Sequence, residues 1–225
     1  MPPEAEPPLR TASKIGVSFA ISALALVLFG WLSEEVFEGD MTRFDAVVRA
    51  TVHGWTTPHL TAVMQALTFL GSVLFIISAT ALLCLLFWWR GWRMEASRLA
   101  IAMLGAGGLD VILKHAFRRA RPVPFFGPTP HTYSFPSGHS LSSLCFYGIL
   151  AGLLGSRLPQ RGWRVLLWTL ALLIAGAIGL SRIYLGVHYP TDVVAGYLAA
   201  LMWIGGLLGV PIPWGRNRDA PPPAT

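Results

Sequence analysis

Residues 135–154 read FPSGHSLSSLCFYGILAGLL: within six positions a proline-broken polar segment gives way to an apolar run. Pro136 has no N–H and a φ already suited to a helix, so it is placed to open one where the missing donor costs nothing. A helix opening there presents free amides and the positive end of its dipole beside Ser137 and Gly138, which suits a phosphate-like anion. Gly138 lets that anion approach the backbone. His139 either gives a proton to a departing oxygen or caps the site. The run from Pro136 to about Leu154 is long enough to span a bilayer, so this polar motif sits at the end of a transmembrane helix.

The remainder of the chain is of the same kind. Of its 225 residues, 54% are hydrophobic and 12% charged, and the mean hydropathy is +0.57. Those values exclude an ordinary soluble domain. The formal charge of +6 comes from basic residues scattered between apolar runs, with no stripe interleaved with aromatics, so no nucleic acid partner is expected. Cys84 and Cys145 lie inside apolar runs without metal-type spacing and read as small hydrophobes.

Six spans are predicted: 15–32, a stretch over 60–89 that is longer than one span needs, 99–117, 136–154, 165–180 and 191–208. The fold class is therefore all-α, a polytopic six-transmembrane-helix bundle over residues 14–210, between a disordered proline-rich tail (1–13) and a flexible C-terminal tail (211–225). A signal peptide is the weaker reading of the first span, because no small-x-small cleavage pattern precedes Glu34-Glu35 and more spans follow. Gly105, Gly107 and Gly108 in the third span are expected to let another helix pack closely. Phe44, Val47, Val48, Val52 and Trp55 recur at helical spacing, as in an amphipathic helix lying along the interface. Basic loops at the N-terminus, 90–98, 157–164 and the C-terminal tail fall on one side, which the positive-inside rule assigns to the cytoplasm together with both termini. The acidic segment 33–59 falls on the other.

That alternation gathers Lys114, Arg121, Ser137, Gly138, His139, Arg182, His188 and Asp192 on the outer face of the cytoplasmic membrane. Three permanent cations, a helix N-terminus and two histidines suit phosphoryl transfer, in which the charge on the equatorial oxygens must be neutralised. Lys114 and Arg121 are seven apart and face one pocket if the helix persists to Pro122. The planar fork of Arg182 can grip two oxygens. Asp192 follows His188 by four residues in the opening turn of the last span; there it can accept the Nδ1 proton and leave Nε2 free as nucleophile. His139 is then the general acid. Asp110, one helical turn before Lys114, reads as its supporting partner. Arg118 and Arg119 either meet lipid headgroups or anchor the chain at the interface, and Tyr184 packs or hydrogen-bonds beside the pocket.

Lys114-x6-Arg121-Pro122, Pro136-Ser137-Gly138-His139 and Ser181-Arg182-x5-His188-x3-Asp192 together resemble the three-part signature of the type 2 phosphatidic acid phosphatase (PAP2) superfamily. The resemblance covers residues 114–192. It implies a metal-independent membrane phosphatase with no cofactor, working through a phosphohistidine: His188 the nucleophile, Asp192 its partner, His139 the acid, and Lys114, Arg121, Ser137, Gly138 and Arg182 holding phosphate. The implied substrate is a lipid phosphomonoester or diphosphate, polyprenyl diphosphate, phosphatidylglycerol phosphate or phosphatidic acid. Other readings are a lipid phosphotransferase and a non-catalytic lipid binder or transporter; vanadate-dependent haloperoxidases share the signature but are soluble.

Overall fold

The computed structural model describes residues 8–209. The expected C-terminal tail and the first seven residues of the N-terminal one lie outside that range. Eight helices follow one another: α1 (Pro8–Glu38), α2 (Thr42–His53), α3 (Pro58–Phe69), α4 (Val73–Trp89), α5 (Arg93–Phe117), α6 (Gly138–Gly155), α7 (Arg161–Tyr184) and α8 (Pro190–Gly209). Among the described residues there is no strand. Five of these helices, α1, α5, α6, α7 and α8, are long and apolar enough to cross a membrane; α3 and α4, bent by 47° across a short break, make a sixth span if taken together.

The bend explains why the second apolar stretch is too long for one span. Thr57 caps α3 by accepting from the Leu60 amide at 3.2 Å, with Pro58 at its first position, and Ser72 caps α4 by accepting from the Phe75 amide at 3.2 Å. Each such cap stabilises its helix by about 1 kcal/mol. Gly71 between them lies against the bundle: a Cβ there would stand 2.5 Å from Ile178 Cγ2 and 3.3 Å from His139 Cδ2. The break thus brings bare backbone up to the first motif histidine.

Two helix ends differ from the sequence expectation. Helix α6 opens at Gly138 and not at Pro136, because Ser137 takes the cap position with extended backbone and accepts from the Ser140 amide at 3.4 Å. The Pro136 carbonyl is used instead by the Lys114 ammonium, 3.2 Å away. Helix α5 stops at Phe117 and does not persist to Pro122. Arg118 turns left-handed at φ +49 and its Nε donates back to the His115 carbonyl at 3.0 Å, closing the helix end. The next carbonyl, of Arg119, accepts from the Ser134 amide at 2.9 Å, which pins the loop that follows.

Helix α6 is the most buried of the spans and is surrounded by α5, α7 and α8. Helix α1 packs on α8, where Ser22 Oγ donates to the Met202 carbonyl at 2.8 Å. Gly105 admits Trp203, whose indole N–H donates to the Ala102 carbonyl at 2.9 Å. Gly107 and Gly108, however, meet no helix; they border a cavity. Helix α2 also departs from the simple amphipathic reading. Asp45 and Val52 are buried, while Phe44, Val47 and Trp55 stay about half exposed. A carboxylate can occupy the inward face because it is fully hydrogen-bonded there.

Candidate active site

Three connections meet at one end of the bundle: the loop 118–137, the turn 185–189 and the start of α8. They are tied together by backbone hydrogen bonds, Phe125 N to Leu185 O at 3.1 Å and Ser137 N to Asp192 O at 2.9 Å. A cavity of about 990 Å3 lies against this junction, and Lys114, Arg121, Gly138, His139, Arg182 and His188 all line it. The two motif histidines therefore share one chamber. Ser137 is fully buried and spends its hydroxyl on the cap, accepting also from Ser140 Oγ at 3.0 Å, while Asp192 lies behind His188 with no exposed surface.

His188 is held in one tautomer. Arg121 Nη1 lies 2.9 Å from its Nε2; a guanidinium only donates, so Nε2 carries the lone pair. The proton is then on Nδ1, which faces Asp192 Oδ2 at 3.3 Å. Burial, reinforced by Arg121 and Arg182 and opposed by Asp192, pushes the imidazole pKa down to about 4. The ring is thus neutral at physiological pH with its Nε2 lone pair turned towards Arg121.

Asp192 is held by bonds to both of its oxygens. Its Oδ2 accepts from Ser134 Oγ and from the Tyr189 amide at 2.9 Å, and its Oδ1 accepts from Arg119 Nη1 at 2.6 Å. Arg119 therefore turns inward, away from lipid headgroups, and its guanidinium lies 4.1 Å from the Tyr189 ring centre.

The phosphate-binding candidates reach the cavity from different elements. Lys114, on α5, donates to Asp110 and to Pro136 O. Arg121 comes from the loop, anchored by Nε to the Thr132 carbonyl at 2.7 Å and by Nη1 to the Val187 carbonyl at 2.9 Å. Burial lowers its pKa from the ordinary arginine value, leaving it a cation. Arg182 Nη1 donates to Thr68 Oγ1 at 2.6 Å, while its Nε is buried without a hydrogen-bond partner. Gly138 sits where any side chain would collide, with a Cβ 2.8 Å from Asp110 Oδ1 and 2.9 Å from Lys114 Nζ.

Away from the junction the cavity becomes an apolar groove between α4 and α5. Val73, Ile77, Leu104 and Val111 line it and are also largely exposed on the outside of the bundle, so the groove opens sideways between the two helices. Gly107 and Gly108 keep it wide.

The family follows from comparison with known proteins. The PAP2 superfamily model matches residues 95–215, just over half of the chain. The chain belongs to the PAP2 superfamily. Phosphatidylglycerophosphatase B of Bacillus subtilis is 33% identical over 151 residues, 64% of this chain and 72% of that protein. The undecaprenyl-diphosphatase of Sulfolobus acidocaldarius is 33% identical over 58% of this chain and 60% of its own length. The crystal structure of the transmembrane PAP2-type phosphatidylglycerolphosphate phosphatase from Bacillus subtilis superposes with a TM-score of 0.76 at 26% identity, covering 83% of this chain and 93% of that one. This chain is accordingly a multi-pass membrane phosphatase of the PAP2 type.

Several residues of the junction have no place in the motif reading: Asp45, Ser134, Thr132, Thr68 and Thr191, with Arg119 assigned to the wrong surroundings. Only Ser134, next to Phe135-Pro136, and Thr191, next to Asp192 in the first turn of α8, carry a sequence signal. The others come from α2, α3 or the loop, and nothing in their local spacing points at the site.

Proposed function

We propose that this PAP2 phosphatase hydrolyses a lipid phosphomonoester or diphosphate through a phosphohistidine. His188 Nε2 attacks phosphorus as the bond to the lipid oxygen breaks, and His139 protonates that oxygen as it leaves. Water deprotonated by His139 then attacks the phosphohistidine, the N–P bond breaks, and inorganic phosphate departs with Nε2 restored. Lys114, Arg121, Arg182 and the amides at the start of α6 neutralise the transferring group. The guanidinium of Arg121 sits on the nucleophile's lone pair in this structure, so a phosphoryl oxygen offered to its fork replaces that contact and frees Nε2.

The observation that carries this reading is the continuity of one cavity. Its polar end joins three cations and two imidazoles, and its apolar end opens between α4 and α5 at lipid-facing residues. A headgroup can enter while its chain stays in the bilayer. Phosphatidylglycerol phosphate and polyprenyl diphosphate both fit this description, and the names of the relatives favour them. Charge placement supports a site on the outer face, with both termini in the cytoplasm.

The test is phosphate release by the purified protein from phosphatidylglycerol phosphate, phosphatidic acid and undecaprenyl diphosphate in mixed micelles, with and without chelator. His188→Ala should abolish release while the protein still inserts and keeps its helix content. His139→Ala should lower the rate by about 10²–10⁴-fold. Turnover retained by His188→Ala would defeat the mechanism.

A further inference from the structure

The carboxylate that orients His188 belongs to a longer charged chain. Arg119 joins two buried carboxylates: Nη1 donates to Asp192 Oδ1 at 2.6 Å and Nη2 to Asp45 Oδ2 at 2.8 Å. Asp192 and Asp45 are 0% and 1% exposed. Asp45 also accepts from both donors of Thr191, the amide at 3.0 Å and the hydroxyl at 2.7 Å. That hydroxyl in turn accepts from Arg119 Nη1 at 2.8 Å. Asp45 therefore grips the residue before Asp192 and the arginine bound to Asp192, from a helix that lies outside the matched family region and its three motifs.

We propose that Asp45 and Arg119 are positioning residues for the His188–Asp192 pair, with Asp45 acting through Arg119. The argument is electrostatic as well as geometric. Attack by Nε2 on phosphorus leaves the imidazole ring carrying positive charge, which Asp192 stabilises through Nδ1–H. A guanidinium committed wholly to Asp192 would compete for the same carboxylate charge. Asp45 takes up part of the Arg119 charge and so leaves Asp192 free to answer the ring. Arg119 in return fixes Oδ1 and keeps Oδ2 turned towards Nδ1. Lysine cannot replace it, because the two carboxylates are served by two nitrogens of one planar fork.

The inference rests on the phosphohistidine reading, and the experiment separates the two. Hydrolysis by the wild-type protein, abolished in His188→Ala, tests that reading alone. Asp45→Asn keeps the size of the side chain and an oxygen for the Thr191 amide. It should lower kcat at least tenfold while the inhibition constant of orthophosphate, which reports Lys114, Arg121 and Arg182, stays within twofold. On an Arg119→Gln background the same substitution should change kcat by less than a further twofold. An unchanged kcat, a parallel loss of kcat and orthophosphate affinity, or full additivity with Arg119→Gln would overturn the proposal. If Asp45→Asn does not fold, Arg119→Gln alone is read in the same way: kcat falling with orthophosphate affinity kept supports the proposal, and an unchanged kcat or both falling together defeats it.

Discussion

Arg182 is buried in α7 with one nitrogen on Thr68 and its Nε unbonded. An unmade buried hydrogen bond costs roughly 1–3 kcal/mol, so a fork with a donor to spare at the cavity supports the proposed grip on a phosphoryl group. Arg182→Lys keeps the charge but loses the planar pair of donors, and kcat/KM should fall about 10²–10³-fold with membrane insertion unchanged. His188 makes a second prediction at this scale. Its folded pKa near 4 lies below the ordinary histidine value of 6.5, so the proposed nucleophile is neutral throughout the range in which free histidine becomes charged. With the substrate's own ionisation divided out, the acid limb of kcat/KM should break near 4; a break at 6.5 would place another group in control. The sign for stability is the same. The unfolded chain takes up a proton below 6.5 that the folded one refuses, so this contribution is fully present above 6.5 and lost as the pH falls towards 4. The motif residues themselves were legible, since Lys114, Arg121, Gly138, His139, Arg182 and His188 all line the cavity. Asp45 and Arg119 were not, because a bond between residues more than seventy positions apart leaves no periodic trace.

The elements carry these side chains by their ends, and the ends were the least legible part of the fold. Apolar length revealed α1, α5, α6, α7 and α8, yet it could not show that Ser137 and not Pro136 precedes the first residue of α6, or that Arg118 closes α5 four residues short of the proline. Those outcomes depend on which partner a carbonyl finds: Pro136 O is taken by Lys114 and Arg119 O by the Ser134 amide. The break between α3 and α4 is the most consequential case. With a Cβ only 2.5 Å from Ile178 and 3.3 Å from His139, Gly71→Ala forces α3–α4 away from α7 and presses on the proposed acid. Release of phosphate should drop about tenfold or more, since displacements of this size cost heavily when reacting groups must be aligned. A double variant, Gly71→Ala with Ile178→Ala, removes the closer collision and should recover part of the lost rate; failure to recover any would mean that the contact with His139 is decisive.

Across the whole molecule the question is which end of the bundle faces out. At the site end Arg49, Arg119 and Arg121 are each engaged inside the protein: Arg49 on the Val123 and Gly186 carbonyls, Arg119 on two carboxylates, Arg121 on Thr132 and Val187. What is left there is mainly acidic, Glu34, Glu35, Glu38 and Asp40 against Arg43 and Arg118. The opposite end carries Arg90, Arg93, Arg157, Arg161 and Arg164, with Glu95 bonded to Arg157. Retention of such basic connections in the cytoplasm is what supports the proposed placement of the site outside. Thr129 and Gln160 are exposed on connections at the two ends, and replacing each by cysteine, in a chain whose Cys84 and Cys145 have been changed to alanine, reads the orientation directly. A membrane-impermeant maleimide added to intact cells should label Thr129→Cys at once and Gln160→Cys only after permeabilisation. The reverse pattern would put the phosphate chamber in the cytoplasm, and the substrates would then have to be presented by the inner leaflet.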